Sequence, residues 1–216
     1  MKKFLIVLTC LLCAHGAWAD GDDYLDPEKM YQQYLDEIVD LDTAYAWCTE
    51  SVKYAKAHKI HFEINGITEE DTAVCDYWYN KQDKKDLAYY AIAIARKVVH
   101  AKEALEDDAK SHFTSKSSYA YLVKNIDTDV DAECSITNNY CVINVKLIDG
   151  SYLAHCIKGI AKPEFIYSGD GMCIPQNVHW ETSLNKYSQV PDPKHLTDFD
   201  ANCNKLTSDT VVNQLK

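Results

Sequence analysis

The chain has 216 residues, a quarter of them charged, and a formal net charge of −11. That acidity and a single arginine, Arg96, exclude nucleic-acid binding, because phosphate contacts need grouped cations and base readout favours arginine. Anionic membrane surfaces are excluded as partners on the same ground, and the plain consequence of the charge is solubility.

Residues 1–19 read as a secretory signal peptide. Lys2 and Lys3 form a basic start, Phe4 to Ala14 an apolar core, and Ala17-Trp18-Ala19 an A-x-A cleavage site. The apolar run is too short to span a membrane. Thr9 and Leu12 are not the small residues that a lipoprotein cleavage before Cys10 or Cys13 needs. Cleavage after Ala19 predicts a secreted or periplasmic chain that begins at Asp20. Without Lys2 and Lys3, its 33 acids face 20 bases, a net charge of −13. No later stretch has membrane-spanning length, and no asparagine of the mature chain lies in an N-x-S/T acceptor, which fits a bacterial source.

Residues 20–112 predict a helical hairpin. Asp26 suits an N-cap, Pro27 the first helical position and Glu28 the first turn. Apolar residues then recur at Tyr31, Tyr34, Ile38, Leu41, Tyr45, Cys48, Val52 and Ala55, a 3-4 seam along about 45 Å of helix. Asn65-Gly66 turns the chain, and Thr68 caps a second helix whose first turn carries Glu69, Glu70 and Asp71. Cys75, Trp78 and Gln82 open its seam. The run NKQDKKD interrupts that seam, and Leu87, Ala91, Ile94, Val98, Ala101 and Leu105 restart it in another phase. The stretch LAYYAIAIARKVV is apolar almost all round, so one partner helix cannot cover it and the β half packs on its other side.

Residues 113–216 predict a small antiparallel β region braced by disulfides, which makes the fold class α+β. The strongest local signal is CVINVKLI-DG-SYLAHCIKGI, two strands joined at Asp149-Gly150. A two-residue type I′ turn there sets Ile143 opposite Cys156 and Cys141 opposite Lys158. SSYAYLVKNI and EFIYS read as weaker strands, and the last thirty residues as loop with a short helix at 207–215.

Seven cysteines follow the signal peptide: Cys48, Cys75, Cys134, Cys141, Cys156, Cys173 and Cys203. In an exported chain without C-x-x-C they read as a disulfide framework. Cys48 and Cys75 join the helical hairpin, and Cys134 and Cys141 bridge SITNNY. Cys156, Cys173 and Cys203 contribute one bond, Cys156–Cys173 or Cys173–Cys203, and one free thiol.

Three other clusters carry side chains capable of chemistry. Asp127, Asp129, Asp131 and Glu133 alternate along DTDVDAE and form a weak Ca²⁺ candidate within what reads as a solvated loop; Ala132 and Asn138 break the EF-hand template. His58 and His61 stand one helical turn apart, and His100, Glu103 and Glu106 share a helix face; each is a partial zinc or copper ligand set, and solvated helix-end histidines are the preferred reading. G-x-S-x-G, H-E-x-x-H, P-loop and dinucleotide motifs do not occur. The expectation is an exported, non-enzymatic protein that binds a protein or another envelope macromolecule, or serves as a structural or surface component, without metal or other cofactor. An enzyme using carboxylates or a free thiol is the second reading. A pilin-like subunit is the third, disfavoured because A-W-A predicts loss of the apolar N-terminus.

Overall fold

The computed structural model describes residues 40–115, 126–169 and 171–206. The expected signal peptide, the first helix before Asp40, nearly all of the SSYAYLVKNI strand and the helix at 207–215 lie outside the described residues.

Helix α1 (Leu41–Ala57) starts where Asp40, in extended backbone, accepts a hydrogen bond from Thr43 N at 2.7 Å. That N-cap interrupts the single long helix expected from Asp26, because its φ of −147° is not helical. The buried face is Ala44, Cys48, Val52 and Ala55, while Leu41 and Tyr45 are partly buried. Beyond α1 come three short strands, β1 (Ile60–His61), β2 (Glu63–Ile64) and β3 (Ile67–Thr68). β2 and β3 pair as a tongue whose turn residues, Asn65 and Gly66, both have positive φ, the type I′ signature. Thr68 therefore ends a strand and caps no helix. The second helix, α2 (Ala73–Asn80), starts at Ala73.

α2 is the antiparallel arm of the hairpin. It meets α1 through the Cys48–Cys75 disulfide, and Tyr45 and Tyr79 donate phenolic hydrogen bonds of 2.6 Å to Asp76 and Asp42. Gln82, at φ 58°, breaks the chain where the seam changes phase. Asp83 then caps α3 (Lys84–Thr114), accepting from Asp86 N at 3.1 Å. α3 turns back and packs along α1 in the same direction. Both helices thus start at one end. The Thr43 hydrogen bonds, and then the nearby Lys84 ammonium, hold the Asp40 carboxyl below its usual range.

The seam of α3 is buried as its spacing predicts, through Leu87, Ala91, Ile94, Val98, Ala101 and Leu105, and it continues to Ala109 and Phe113. Its far side rests on a four-stranded antiparallel sheet in the order β4 (Ile126–Ser135), β5 (Tyr140–Leu147), β6 (Tyr152–Gly159) and β9 (Trp180–Val190). The acidic run is therefore a strand, β4, and not a loop. Ala132 and Cys134 bury its inner face, while Asp131 stays exposed. A second sheet sets β1 parallel to β7 (Glu164–Tyr167), which pairs antiparallel with β8 (Cys173–Gln176). This parallel pair ties the α1–α2 connection to the β half.

The β5–β6 turn differs by one residue from expectation. Leu147 N donates to Ser151 O at 2.8 Å, and of the three loop residues only Gly150 has positive φ, at 84°. The loop is thus three residues long, with the glycine in the left-handed position. Ile143 faces His155, Cys141 faces Ile157 and Val142 faces Cys156. A one-residue slip moves every side chain of a strand to the other face. Cys134, Cys141, Ile143, Val145, Leu153 and Ile157 pack with α3, whereas Tyr140, Val142, Ala154 and Cys156 face away from it.

That second face decides the cysteines. It is covered by residues 191–206, which contain a short 3₁₀ helix, η1 (Leu196–Asp198). The Asn144 side chain exchanges two hydrogen bonds with the Lys194 backbone, at 2.7 and 3.0 Å, and Tyr140 Oη donates to Leu196 O at 3.0 Å. Cys156 bonds Cys203 beneath this strap, a pairing that replaces both expected ones. Cys48–Cys75 and Cys134–Cys141 are closed, and Cys173 is the free thiol. Three disulfides belong to an oxidising compartment. No helix among the described residues is long and apolar enough to cross a membrane.

Because a Cβ at Gly150 would meet no atom within 4 Å, only the backbone angle there resists substitution. Gly150→Val is expected to cost about 1–2 kcal/mol through left-handed strain, and Gly150→Asn much less. Urea midpoints of the two variants check this; equal stability for both contradicts the turn.

Candidate functional site

One face of α3 carries no part of the seam. Lys85, Tyr89, Ala93, Arg96 and His100 recur every three or four residues along it, and the tongue residues Glu63, Ile64 and Asn65 stand opposite. Together with Asp86, Tyr90, Ile92 and Lys97 they line an open groove of about 910 Å³. At 1.5 Å per residue, Lys85 to His100 spans about 22 Å. The only arginine of the chain, two lysines and a histidine thus lie together on an otherwise acidic protein.

Aromatic side chains extend the groove towards α2. Tyr89 meets Tyr90 edge-on at 5.4 Å between centroids, Tyr90 stacks on Trp78 at 6.3 Å, and Trp78 meets Tyr77 at 4.8 Å. Tyr77 and Tyr89 remain 48% and 43% exposed. At the other end, Lys97 Nζ lies 4.0 Å from the Tyr167 ring centroid, and the Tyr167 hydroxyl donates to Lys97 O.

The tongue is held from below. Ile60, Phe62 and Ile67 are buried, and the buried Glu69 accepts from Phe62 N at 3.2 Å. His61 bridges two carboxylates: Nδ1 lies 2.5 Å from Glu69 Oε1 and Nε2 2.9 Å from Glu164 Oε1. The Glu69 hydrogen bond, opposed by burial and supported by Glu164, raises the His61 pKa above its usual value. His61 therefore links the base of the tongue to β7.

The residues singled out from the sequence are scattered by the fold. His58 ends α1, with Nδ1 2.8 Å from Tyr54 O and Nε2 3.2 Å from Thr137 Oγ1, whereas His61 lies beyond the left-handed Lys59 in β1. His100 lines the groove, Glu103 is exposed, and Glu106 turns inward to accept from Cys134 N at 3.0 Å. Burial raises the Glu106 pKa, with the Lys102 ammonium opposing. In the acidic strand, Asp131 accepts from Ala132 N at 2.8 Å, and Glu133 accepts from Leu196 N at 3.0 Å with His195 Nδ1 at 3.4 Å. The side chains of Asp127 and Asp129 lie outside the description, and the ladder shifts register between Ile126 and Val130. Among the described residues no three His, Cys, Asp or Glu side chains gather as a metal site. Burial pushes the Cys173 thiol up, against the Tyr167 hydroxyl and Lys97 ammonium that favour the thiolate.

Sequence reasoning passed over the groove because it followed the apolar positions of α3. The signal was in the complementary stripe of cations and tyrosines at helical spacing.

Two histidines give stability opposite pH slopes. His155, buried against Phe113 with His112 nearby, has its pKa lowered to about 4 by burial and then by the His112 charge. Unfolded histidine protonates near pH 6.5, so the unfolded state gains protons first and stability falls as pH drops from about 6.5 to 4. The His155 contribution to this loss is on the order of 3 kcal/mol. His61 acts in the reverse sense: its contribution is present below about pH 6.5 and lost as pH rises through its higher folded value. Denaturation from pH 4 to 8 is expected to show a flatter acid limb for His155→Leu and a flatter alkaline limb for His61→Gln. Unchanged limbs contradict these environments.

In comparisons with family models, curated proteins and solved structures, nothing matches this chain.

Proposed function

We propose that this chain is an exported, non-enzymatic binding protein, and that the groove along α3 takes an acidic segment of another secreted or envelope protein. The observation that carries the reading is the concentration of Lys85, Arg96, Lys97 and His100 along one stripe of a chain with net charge −11. On such a background a local cationic stripe steers an anionic partner and sets its register.

A polypeptide fits better than a polyanion. Tyr89, Tyr90 and Ile92 lie between Lys85 and the Arg96–His100 cluster, which suits a ligand that mixes carboxylates with apolar side chains. Glu63 and Asp86, on opposite sides of the groove, repel a continuous phosphate backbone but accept peptide N–H groups. A length of about 22 Å matches six or seven extended residues or four turns of helix. The raised pKa of Cys173 favours a binding role over a thiol enzyme, whose nucleophilic cysteine needs a depressed one.

Arg96→Glu and Lys85→Glu are each expected to weaken binding of a fluorescein-labelled Glu/Tyr hexapeptide about tenfold or more in low salt, with little change in melting temperature. Fluorescence anisotropy reads the affinity. Equal binding by both variants and the parent chain rejects the groove.

A further inference from the structure

We infer that residues 20–39 of the same chain occupy this groove in cis and compete with the external partner; the inference rests on the binding reading above. The first support is where the chain enters. Asp40 caps α1 near the start of α3, where the Lys84 charge acts on its carboxyl, and Lys85 is the first α3 residue of the groove lining. The preceding chain thus leaves the described body at the mouth of the groove.

The second support is charge. DGDDYLDPEKMYQQYLDEIV carries seven carboxylates against one lysine, and the groove carries the four cationic or protonatable groups named above. The third is chemistry and length. Tyr24, Tyr31 and Tyr34 match the exposed Tyr89 platform in kind, and Tyr31, Tyr34 and Ile38 recur at helical spacing. Twenty residues reach about 30 Å as a helix and about 65 Å extended, so either form covers a groove of about 22 Å. A tether this short holds its end at millimolar effective concentration, enough to compete with a partner of modest affinity.

The test compares the secreted chain with a variant in which Asp22, Asp23 and Asp26 become Asn and Glu28 becomes Gln, using the same labelled hexapeptide. Neutralising Glu50, Asp107, Asp131 and Asp192, all exposed and outside the groove lining, controls for the change in net charge. The expected result is a gain of about tenfold in affinity for the first variant, because the competent fraction of grooves rises, and less than twofold for the control. Equal gains in both variants, or no gain in either while Arg96→Glu still weakens binding, overturn the inference and leave the binding reading standing. No binding by any form overturns the reading itself. A photo-crosslinker replacing Tyr31 is expected to label residues 85–100 of its own chain. Crosslinks only between isotopically distinct copies, or only elsewhere in the chain, overturn occupancy in cis.

Discussion

The burial of α3 is the constraint on which the rest of the structure depends. Its 31 residues span about 46 Å, and its seam from Leu87 to Phe113 is buried along nearly the whole length. α1 and α2 cover the seam near its start; β4, β5 and β8 cover it further along. Leu87, Ile94 and Leu105 are fully buried, so truncating any one to alanine removes about 2–5 kcal/mol. That is a large share of the total stability of a domain this size. One stripe of the helix lies outside the seam, and it is there that Lys85, Tyr89, Arg96 and His100 face the groove.

Covalent and polar ties then fix what the apolar core alone leaves loose. Cys48–Cys75 pins the short antiparallel arm, and Cys134–Cys141 closes the β4–β5 loop, where Gly159 lets the Asn139 side chain approach β6. Cys156–Cys203 anchors the strap over the second face of the sheet, closing a separation of 47 residues. By loop entropy such a bridge contributes about 4 kcal/mol. β5 is consequently buried on both faces, which explains why YCVINV reads as a continuous apolar run and not as an alternating one.

Much of this was legible in the chain itself, for identifiable reasons. The α3 seam was legible because 3-4 spacing survives any choice of partner, and the break at Gln82 because the seam visibly loses phase there. Direction was not legible: the α2–α3 break turns a two-helix hairpin into an antiparallel arm followed by a helix parallel to α1. Register failed at Asp149-Gly150, where DG serves two-residue and three-residue loops alike, and that single residue moved Cys156 to the far face and hid its bond to Cys203. β4 is hard to recognise from sequence because its carboxylates obscure the buried Ala132 and Cys134 beside them. The groove depended on the tongue, whose two-residue strands leave almost no periodic signal.

The same features join the fold to the proposed function. α3 presents a rigid row of charge because its opposite faces are fully engaged, and His61 clamps the base of the tongue to β7 through Glu69 and Glu164. A rigid wall and an anchored tongue give a preorganised cleft, which lowers the entropic cost of binding. The most direct measurement is backbone chemical-shift mapping of the isotope-labelled chain titrated with an acidic, tyrosine-bearing peptide. The account predicts shifts confined to residues 63–68, to residues 85–100 and to the N-terminal segment that the peptide displaces. Shifts centred on the four-stranded sheet or on the 191–206 strap, with α3 unmoved, would contradict it.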